Sequence, residues 1–297
     1  MSGPLVLLNP HAAGGRATRL IGPLEAALKG TRARLAVADT IAAAEANLFA
    51  LPRHSRVVVA GGDGSLQRLL PALLAQDHEL ALLPCGTGND TARAFGVHRM
   101  RWPDALGFAL NAPARRIDAG AVEHGGTRTP FISSLCAGFD AAVGERALRA
   151  PGWLRGMPRY LWATLAEILA LRSHRVRVTA DGALVHEGAV LFASTLNTPS
   201  YGSGMPAAPA ACIDDGRLDL LLAGRFGRLG TLCMMPLLLS GQHQRHPRVL
   251  ARRFEQVQIE SDTPMPVAAD GEPLPPSRKL QLSVMPGALA AVCNAPT

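Results

Sequence analysis

Residues 57–65, Val57-Val58-Val59-Ala60-Gly61-Gly62-Asp63-Gly64-Ser65, carry a short apolar strand into a glycine-rich turn and then into a helix with Leu66, Leu69 and Leu70 on its buried side. Three glycines let the backbone turn tightly and approach a ligand, and the helix N-terminus that follows offers unpaired amides to phosphate. One strand later the arrangement recurs, as Leu80 to Leu83 runs into Pro84-Cys85-Gly86-Thr87-Gly88-Asn89-Asp90. Thr87 and Asn89 are neutral donors suited to phosphate or ribose oxygens, and Asp90 can cap the next helix or join a metal network. Asn9-Pro10 with Gly14-Gly15-Arg16 adds a third polar turn after the first strand. Neither a Walker lysine loop nor the dinucleotide fingerprint is present, so a nucleotide bound here uses a different cradle. Asp63 is a poor direct phosphate ligand because both groups are anions. A bridging Mg²⁺ or ordered water removes the conflict, and an ordinary capping aspartate is the plain alternative.

Outward from these loops, strands and alanine-rich helices alternate. Leu5 to Leu8, Arg34 to Val37, Arg56 to Ala60 and Leu80 to Leu83 read as strands; Ala17 to Leu28, Ile41 to Ala50, Ser65 to Ala75 and Thr91 to Phe95 read as helices. That rhythm predicts βαβ units around a mostly parallel sheet, with the glycine loops at the strands' carboxyl ends, where such sheets bind ligands. After about Asp118 the pattern changes to strands at Thr129 to Ser133, Arg175 to Thr179, Ala189 to Leu196, Leu218 to Leu222, Val257 to Ser261 and Leu280 to Met285. Asp181-Gly182 and Asp270-Gly271 supply turns between them, and one amphipathic insertion, Met157 to Leu171, interrupts them. The expected fold is α/β plus β-rich: a nucleotide-binding α/β domain over 1–120, on which the tail of about 287–297 packs back, and an antiparallel β-sandwich-like domain over 121–286, with a cleft between them.

The bulk properties agree with a folded, two-domain chain. Its 297 residues are 48% hydrophobic and 18% charged, which excludes disorder, collagen and a disulfide scaffold. Five widely spaced cysteines indicate neither paired disulfides nor a zinc knuckle, and suit a reducing cytoplasm. The N-terminus lacks a basic signal region, and the longest later apolar run, Leu229 to Leu239, has 11 residues and contains Pro236, so neither spans a bilayer. The net charge of +7 suits anionic partners. Only Lys29 and Lys279 are lysines, and genome composition accounts for an arginine bias more readily than phosphate recognition does. Nucleic acid is disfavoured, because there is no recognition module and few aromatics for stacking.

Carboxylates recur at turns in the rest of the chain. Asp118 precedes Ala119-Gly120, Asp214 and Asp215 lie in Ile-Asp-Asp-Gly-Arg-Leu-Asp, and Asp270 and Glu272 flank Gly271. A carboxylate beside glycine can act as a base or hold Mg²⁺ without obstruction, and each is also an ordinary turn former.

Taken together, these loops resemble the diacylglycerol kinase catalytic-domain family, which includes bacterial lipid kinases and sphingosine kinases. The resemblance rests on Asn9-Pro10 with Gly14-Gly15, Gly61 to Ser65, Gly86 to Asp90 extended by Ala92 to Gly96, Cys136 to Asp140, Tyr201 to Met205 with the Asp-Asp-Gly turn, and Asp270-Gly271-Glu272. It covers essentially the whole chain in order. It implies MgATP-dependent phosphorylation of a lipid hydroxyl, with ATP and Mg²⁺ as cofactors. By resemblance Asp270 is the base, Asp63 and Asp118 support the metal and water network, and Asp215 occupies a structural-metal turn. Asn9, Gly61, Gly62, Gly64, Ser65, Gly86, Thr87, Asn89 and Glu272 are the nucleotide-side positions. Ser65 replaces the family's usual threonine, keeping the hydroxyl, while His11-Ala12-Ala13 departs from the usual first loop.

The implied partner is a lipid alcohol, most simply diacylglycerol, with a sphingoid base or ceramide as alternatives. A nonenzymatic nucleotide- or lipid-binding protein of the same fold is the contrasting reading, and it leaves Asp63, Asp118 and Asp270 without work. Reaching a lipid implies a cytoplasmic protein in peripheral contact with an anionic membrane. The stretch Trp153 to Trp162 mixes aromatic, apolar and arginine side chains, as an interface, an acyl-chain pocket or a packed helix would. Oligomeric state is open, a homodimer included.

Overall fold

The computed structural model describes residues 3–86, 88–154 and 156–294. The chain divides into two compact units, one of residues up to Ala119 together with those from Pro286 onward, the other Gly120–Met285.

In the first unit β1 (Leu5–Leu8) leads through an irregular 3-10 segment, Ala12–Leu20, to α1 (Ile21–Leu28), β2 (Arg34–Val37), α2 (Ile41–Phe49), β3 (Arg56–Gly61), α3 (Asp63–Ala75), β4 (Glu79–Pro84), α4 (Asp90–Ala94) and α5 (Trp102–Asn111). The strands pair in parallel in the order β2, β1, β3, β4. Beyond β4, Ala290 and Ala291 from the end of the chain pair in parallel with Glu79 and Leu80. Every residue of β1 is buried, because helices cover both faces of the sheet. On one face Val6, Leu8, Val58, Ala60, Ala81 and Leu83 share a core with α1 and α5. On the other, Leu7 and Val59 meet Ile41 and Ala44 of α2 and Leu69 of α3 around a cavity.

The helix expected from Ala17 starts later. Ala13, Gly14 and Gly15 take left-handed φ of 53°, 67° and 87°, the residues after them to Leu20 wind as 3-10, and the α-helix begins at Ile21. The alternation of strands and helices gives no sign of α5, which Pro103 opens from its first turn.

A buried histidine gives this unit a pH response. His78 is fully buried with Nε2 3.1 Å from the Leu48 carbonyl, and burial holds its pKa below the usual 6.5. The unfolded chain therefore takes up a proton as pH falls through 6.5 while the fold resists it, so this part of the stability is complete above 6.5 and lost below it. We expect His78→Gln, which cannot titrate, to show a smaller drop in Tm than the wild type between about pH 7 and about pH 5, by calorimetry.

In the second unit β5 (Arg115–His124), which begins in the first, is followed by β6 (Thr127–Phe131), β7 (Ser134–Ala137), α6 (Phe139–Leu148), α7 (Met157–Leu169), β8 (His174–Ala180), β9 (Ala183–Leu196), β10 (Leu218–Gly224), α8 (Arg228–Leu239), β11 (Val249–Phe254), β12 (Gln256–Ala269) and β13 (Glu272–Ala291). Here pairing is antiparallel, through β11, β10, β9, β7, β12 and β13, with β8 also bridging β9 and β12. The inward residues of these strands, among them Phe131, Val178, Val190, Leu220, Phe254, Ile259 and Leu280, form one core. This is the β-sandwich expected from the alternation. Asp181-Gly182 and Asp270-Gly271 close two-residue hairpins with positive φ at both positions.

Three helices, rather than one insertion at Met157 to Leu171, interrupt the strands. Pro236 obscures α8 in the sequence, and Gly138, with φ 115°, starts α6 directly off β7. In β5 the alternation is broken by Gly120, where a Cβ would fall 2.1 Å from the Phe131 ring. The last two strands are far longer than Val257 to Ser261 and Leu280 to Met285. Register shifts around Met265 absorb the prolines that interrupt the pattern.

Candidate functional site

The three polar loops of the first unit converge because β1, β3 and β4 are neighbours and end together. The Asn9 Nδ2 donates to Ser65 Oγ at 2.7 Å, joining the first loop to the second. Gly62 and Gly86 face each other: a Cβ on Gly86 would stand 2.6 Å from Gly62 Cα and 2.7 Å from Asn89 Oδ1, so only glycine lets these backbones touch. Asn89 holds its own loop closed, its Oδ1 accepting from Gly86 N at 3.0 Å and its Nδ2 donating to Gly86 O at 2.9 Å, with φ 51°. Thr87 lies outside the described residues.

The Asp63 carboxylate accepts from the backbone N–H groups of Asp90 and Thr91 at 3.1 and 3.2 Å. It therefore caps α4, 27 residues away, rather than its own helix. The result leaves α3 without a side-chain cap: Gly62 is its N-cap, Asp63 and Gly64 form its first turn, and Ser65 is tied to Asn9. Among the described residues, this is a helix end shaped for an anion, with the positive end of its dipole at the mouth of two glycine loops.

Beside it lies a cavity of about 300 Å³ lined in part by Asn9, His11, Asp39, Thr40, Ser65 and Arg68. The motifs of the sequence do not single out Thr40, Asp39 or Arg68. Asp39-Thr40 before an apolar run is a legible helix start, and Thr40 Oγ1 does accept from Ala43 N at 3.1 Å, but nothing local reveals that this cap lines the cavity. Cys85, at the start of the Gly86 loop, is held as the neutral thiol, because burial pushes it up to about 11.

Asp118 also lies in this unit, 2% exposed on β5, and its Oδ1 accepts from Gly287 N at 2.8 Å. It anchors the returning end of β13. Hydrogen bonds that join the loops to one another run through Asn9, Ser65 and Asp63.

In the second unit Asp270 sits at the β12–β13 turn with φ 46°, and its carboxylate accepts three backbone N–H groups: Ile132 at 2.8 Å, Ser133 at 2.7 Å and Ser134 at 2.9 Å. A general base must present an oxygen to the proton it takes. Asp270 is 9% exposed and turns both oxygens onto the backbone between β6 and β7, so the base role expected for it does not fit this geometry. Glu272, paired across the same turn with Ala269, is partly exposed. Asp140, within the matched Cys136 to Asp140 stretch, accepts from Ser194 Oγ at 2.5 Å, and burial raises its pKa, opposed by that hydrogen bond.

Asp215 stands apart from these groups, on the turn before β10. Its Oδ2 lies 3.3 Å from Arg253 Nη1, and its Oδ1 accepts from Arg217 N at 3.1 Å. The Arg253 guanidinium thus offsets the charge of one of the carboxylate's oxygens. Among the described residues no three His, Cys, Asp or Glu side chains cluster as a metal cage. The first-unit site does fit a nucleotide phosphate chain, by its facing glycines and uncapped helix. It fits Mg²⁺ as an ion carried by phosphate oxygens and water, since both Asp63 oxygens already accept from backbone N–H groups.

Comparison with known proteins agrees with this division of the chain. Residues 4–122 match the family described as diacylglycerol kinase catalytic domain, and residues 133–293 match the YegS C-terminal NAD kinase beta sandwich-like domain. A diacylglycerol kinase of Mycobacterium tuberculosis is 34% identical over 237 residues, 78% of this chain and 75% of that protein. The crystal structure of a diacylglycerol kinase from Bacillus anthracis superposes with a TM-score of 0.71 at 18% identity, covering 99% of this chain and 97% of that one. An NAD kinase from Archaeoglobus fulgidus, solved with ATP, shares the fold at a TM-score of 0.53 and 11% identity, over 97% and 92% of the two chains.

Proposed function

The chain belongs to the diacylglycerol kinase catalytic-domain family and is an ATP-dependent lipid kinase, and from that premise we propose that the hydroxyl it phosphorylates is that of diacylglycerol. The contact of Gly62 with Gly86, which sets two amide-rich loops side by side at the uncapped start of α3, is the observation that carries the nucleotide half of the reading. The name borne by the Mycobacterium tuberculosis relative supports diacylglycerol as acceptor.

In this reading the first unit binds the phosphate chain through loop amides and the Ser65 and Asn9 side chains, and the cavity lined by Thr40 and Arg68 takes the nucleoside end. Mg²⁺, arriving with ATP, would offset charge on the transferring phosphoryl oxygens. Asp63 keeps the second and third loops in register by holding α4, with Asp118 doing the same for the chain's last strand. Glu272 takes the proton from the acceptor hydroxyl, and Asp270 positions it by fixing the turn from which it extends. Among the described residues no helix is long and apolar enough to cross a membrane. We place the protein in the cytoplasm, visiting the membrane for its substrate.

The test is transfer of labelled phosphate from ATP, with Mg²⁺, to a panel of diacylglycerol, monoacylglycerol, sphingosine and ceramide, with product identification. Preferential labelling of diacylglycerol is expected. Preference for a sphingoid base or ceramide would replace the acceptor, and measurable ATP binding without transfer to any lipid would support a ligand-binding protein instead.

A further inference from the structure

Two helices of the second unit turn apolar side chains away from the protein. On their inner sides α6, α7 and α8 share one core, in which Phe139, Val143, Ile168 and Met234 pack with Leu191, Phe192 and Ala223 of β9 and β10. Solvent faces of such helices are normally polar. On α7, instead, Leu161, Leu165 and Leu169 recur every fourth residue at 59%, 46% and 70% exposure, and on α8, packed beside it, Leu229, Leu232 and Leu239 are 75%, 47% and 63% exposed. Trp153, just ahead of α7, is 80% exposed. Scattered exposed leucines need no explanation, but matching stripes on two adjoining helices make a patch.

The charges around the patch have one dominant sign. Glu145 and Glu167 are paired with Arg149 and Arg146, whereas Arg172 just past α7 and Arg225 and Arg228 at the start of α8 are exposed. Leucine stripes, a tryptophan and tyrosine at their border and an arginine rim match the layers of an anionic bilayer: acyl chains, headgroup boundary and phosphates. A second copy of the chain would complement this face poorly, since a two-fold contact sets the arginine rim against itself.

We propose that the outer face of α7 and α8 docks the protein on an anionic lipid bilayer. The proposal rests on the lipid-kinase reading for its purpose but not for its test. Cosedimentation with phosphatidylglycerol-containing vesicles and with pure phosphatidylcholine vesicles is compared for the wild type and two variants. One carries Leu161→Ser, Leu165→Ser, Leu229→Ser and Leu232→Ser; the other carries Arg225→Glu and Arg228→Glu, which place acid at a helix N-terminus where it favours folding. We expect the wild type to prefer the anionic vesicles and each variant to lose at least about tenfold in partitioning, with unchanged thermal unfolding and unchanged turnover of a short-chain soluble diacylglycerol. Undiminished vesicle binding by both variants, equal wild-type binding to neutral vesicles, or a wild-type dimer that the leucine substitutions dissociate without altering vesicle binding would each overturn it. Absence of phosphoryl transfer to any lipid would defeat the kinase reading and leave the cosedimentation result standing.

Discussion

Glu272→Gln is expected to cut turnover by at least about 10²-fold while ATP affinity and Tm stay at wild-type values, and Asp270→Asn, two residues away, is expected to lower Tm instead. The contrast follows from what each carboxylate touches. Glutamine in place of Glu272 would keep the shape of a partly exposed side chain and remove the carboxylate that takes the proton in this reading. Asparagine in place of Asp270 tolerates the turn's φ of 46° as well as aspartate does, so the turn itself is not the cause of any loss. What changes is the partner set. The amide oxygen can still accept from two of the three backbone N–H groups, but its NH₂ must face the third, a donor against a donor in a buried pocket. Loss of charge assistance and one unpaired amide cost about 2–4 kcal/mol, or roughly 4–16 °C in the second unit's unfolding transition. Calorimetry beside single-turnover kinetics separates the two effects. A folded Asp270→Asn protein with wild-type Tm and abolished transfer would restore Asp270 as the base.

Gly86→Ala should be nearly as damaging to ATP binding as Glu272→Gln is to chemistry. The added methyl would meet Gly62 Cα at 2.6 Å, and that neighbour is backbone, which cannot rotate aside. The two loops must part, carrying their amides off the phosphate positions, and a misplacement near 1 Å costs on the order of 10²-fold. ATP affinity should fall by about that factor by titration calorimetry. Gly107→Ala, inside α5 where a Cβ meets nothing within 4 Å, is the control and should be neutral or slightly stabilising. Wild-type affinity in Gly86→Ala would mean that the loop contact does not shape the nucleotide site.

The parallel sheet is legible in the sequence because β1, β3 and β4 are short runs of Val, Leu and Ala that end in glycine or polar turns, and neighbouring strand ends place their loops together. The meeting of Gly62 with Gly86 follows from that adjacency. The destinations of the carboxylates are not legible. Asp63 looks like a cap for the helix it begins, and only the packed loops reveal that its oxygens reach Asp90 and Thr91. Asp270 sits in an ordinary Asp-Gly turn by sequence, yet its partners, Ile132 to Ser134, are 136 or more residues away. Hydrogen bonds at that separation leave no periodic trace. Of the second unit's helices α7 is legible as the amphipathic stretch from Met157, whereas α6 starts directly off β7 at Gly138 and α8 carries Pro236 within it, so neither shows a clean helical pattern.

The return of β13 to the first unit bears on the order in which this protein is made. Ala290 and Ala291 complete the parallel sheet beside β4, Val292 N donates to Leu80 O at 2.8 Å and Asn294 N to Phe95 O at 2.7 Å. On a translating ribosome, the glycine loops and four of the first unit's strands emerge early, yet β4 keeps an unpaired edge until the whole second unit has been synthesised. At typical elongation rates of about 5–20 residues per second, that interval is on the order of ten to forty seconds. Nascent chains thus carry an open strand edge throughout synthesis of the second unit, a period in which a chaperone or a neighbouring chain on the same message can reach it, and the nucleotide-binding unit becomes whole only once Ala290 and Ala291 have left the exit tunnel.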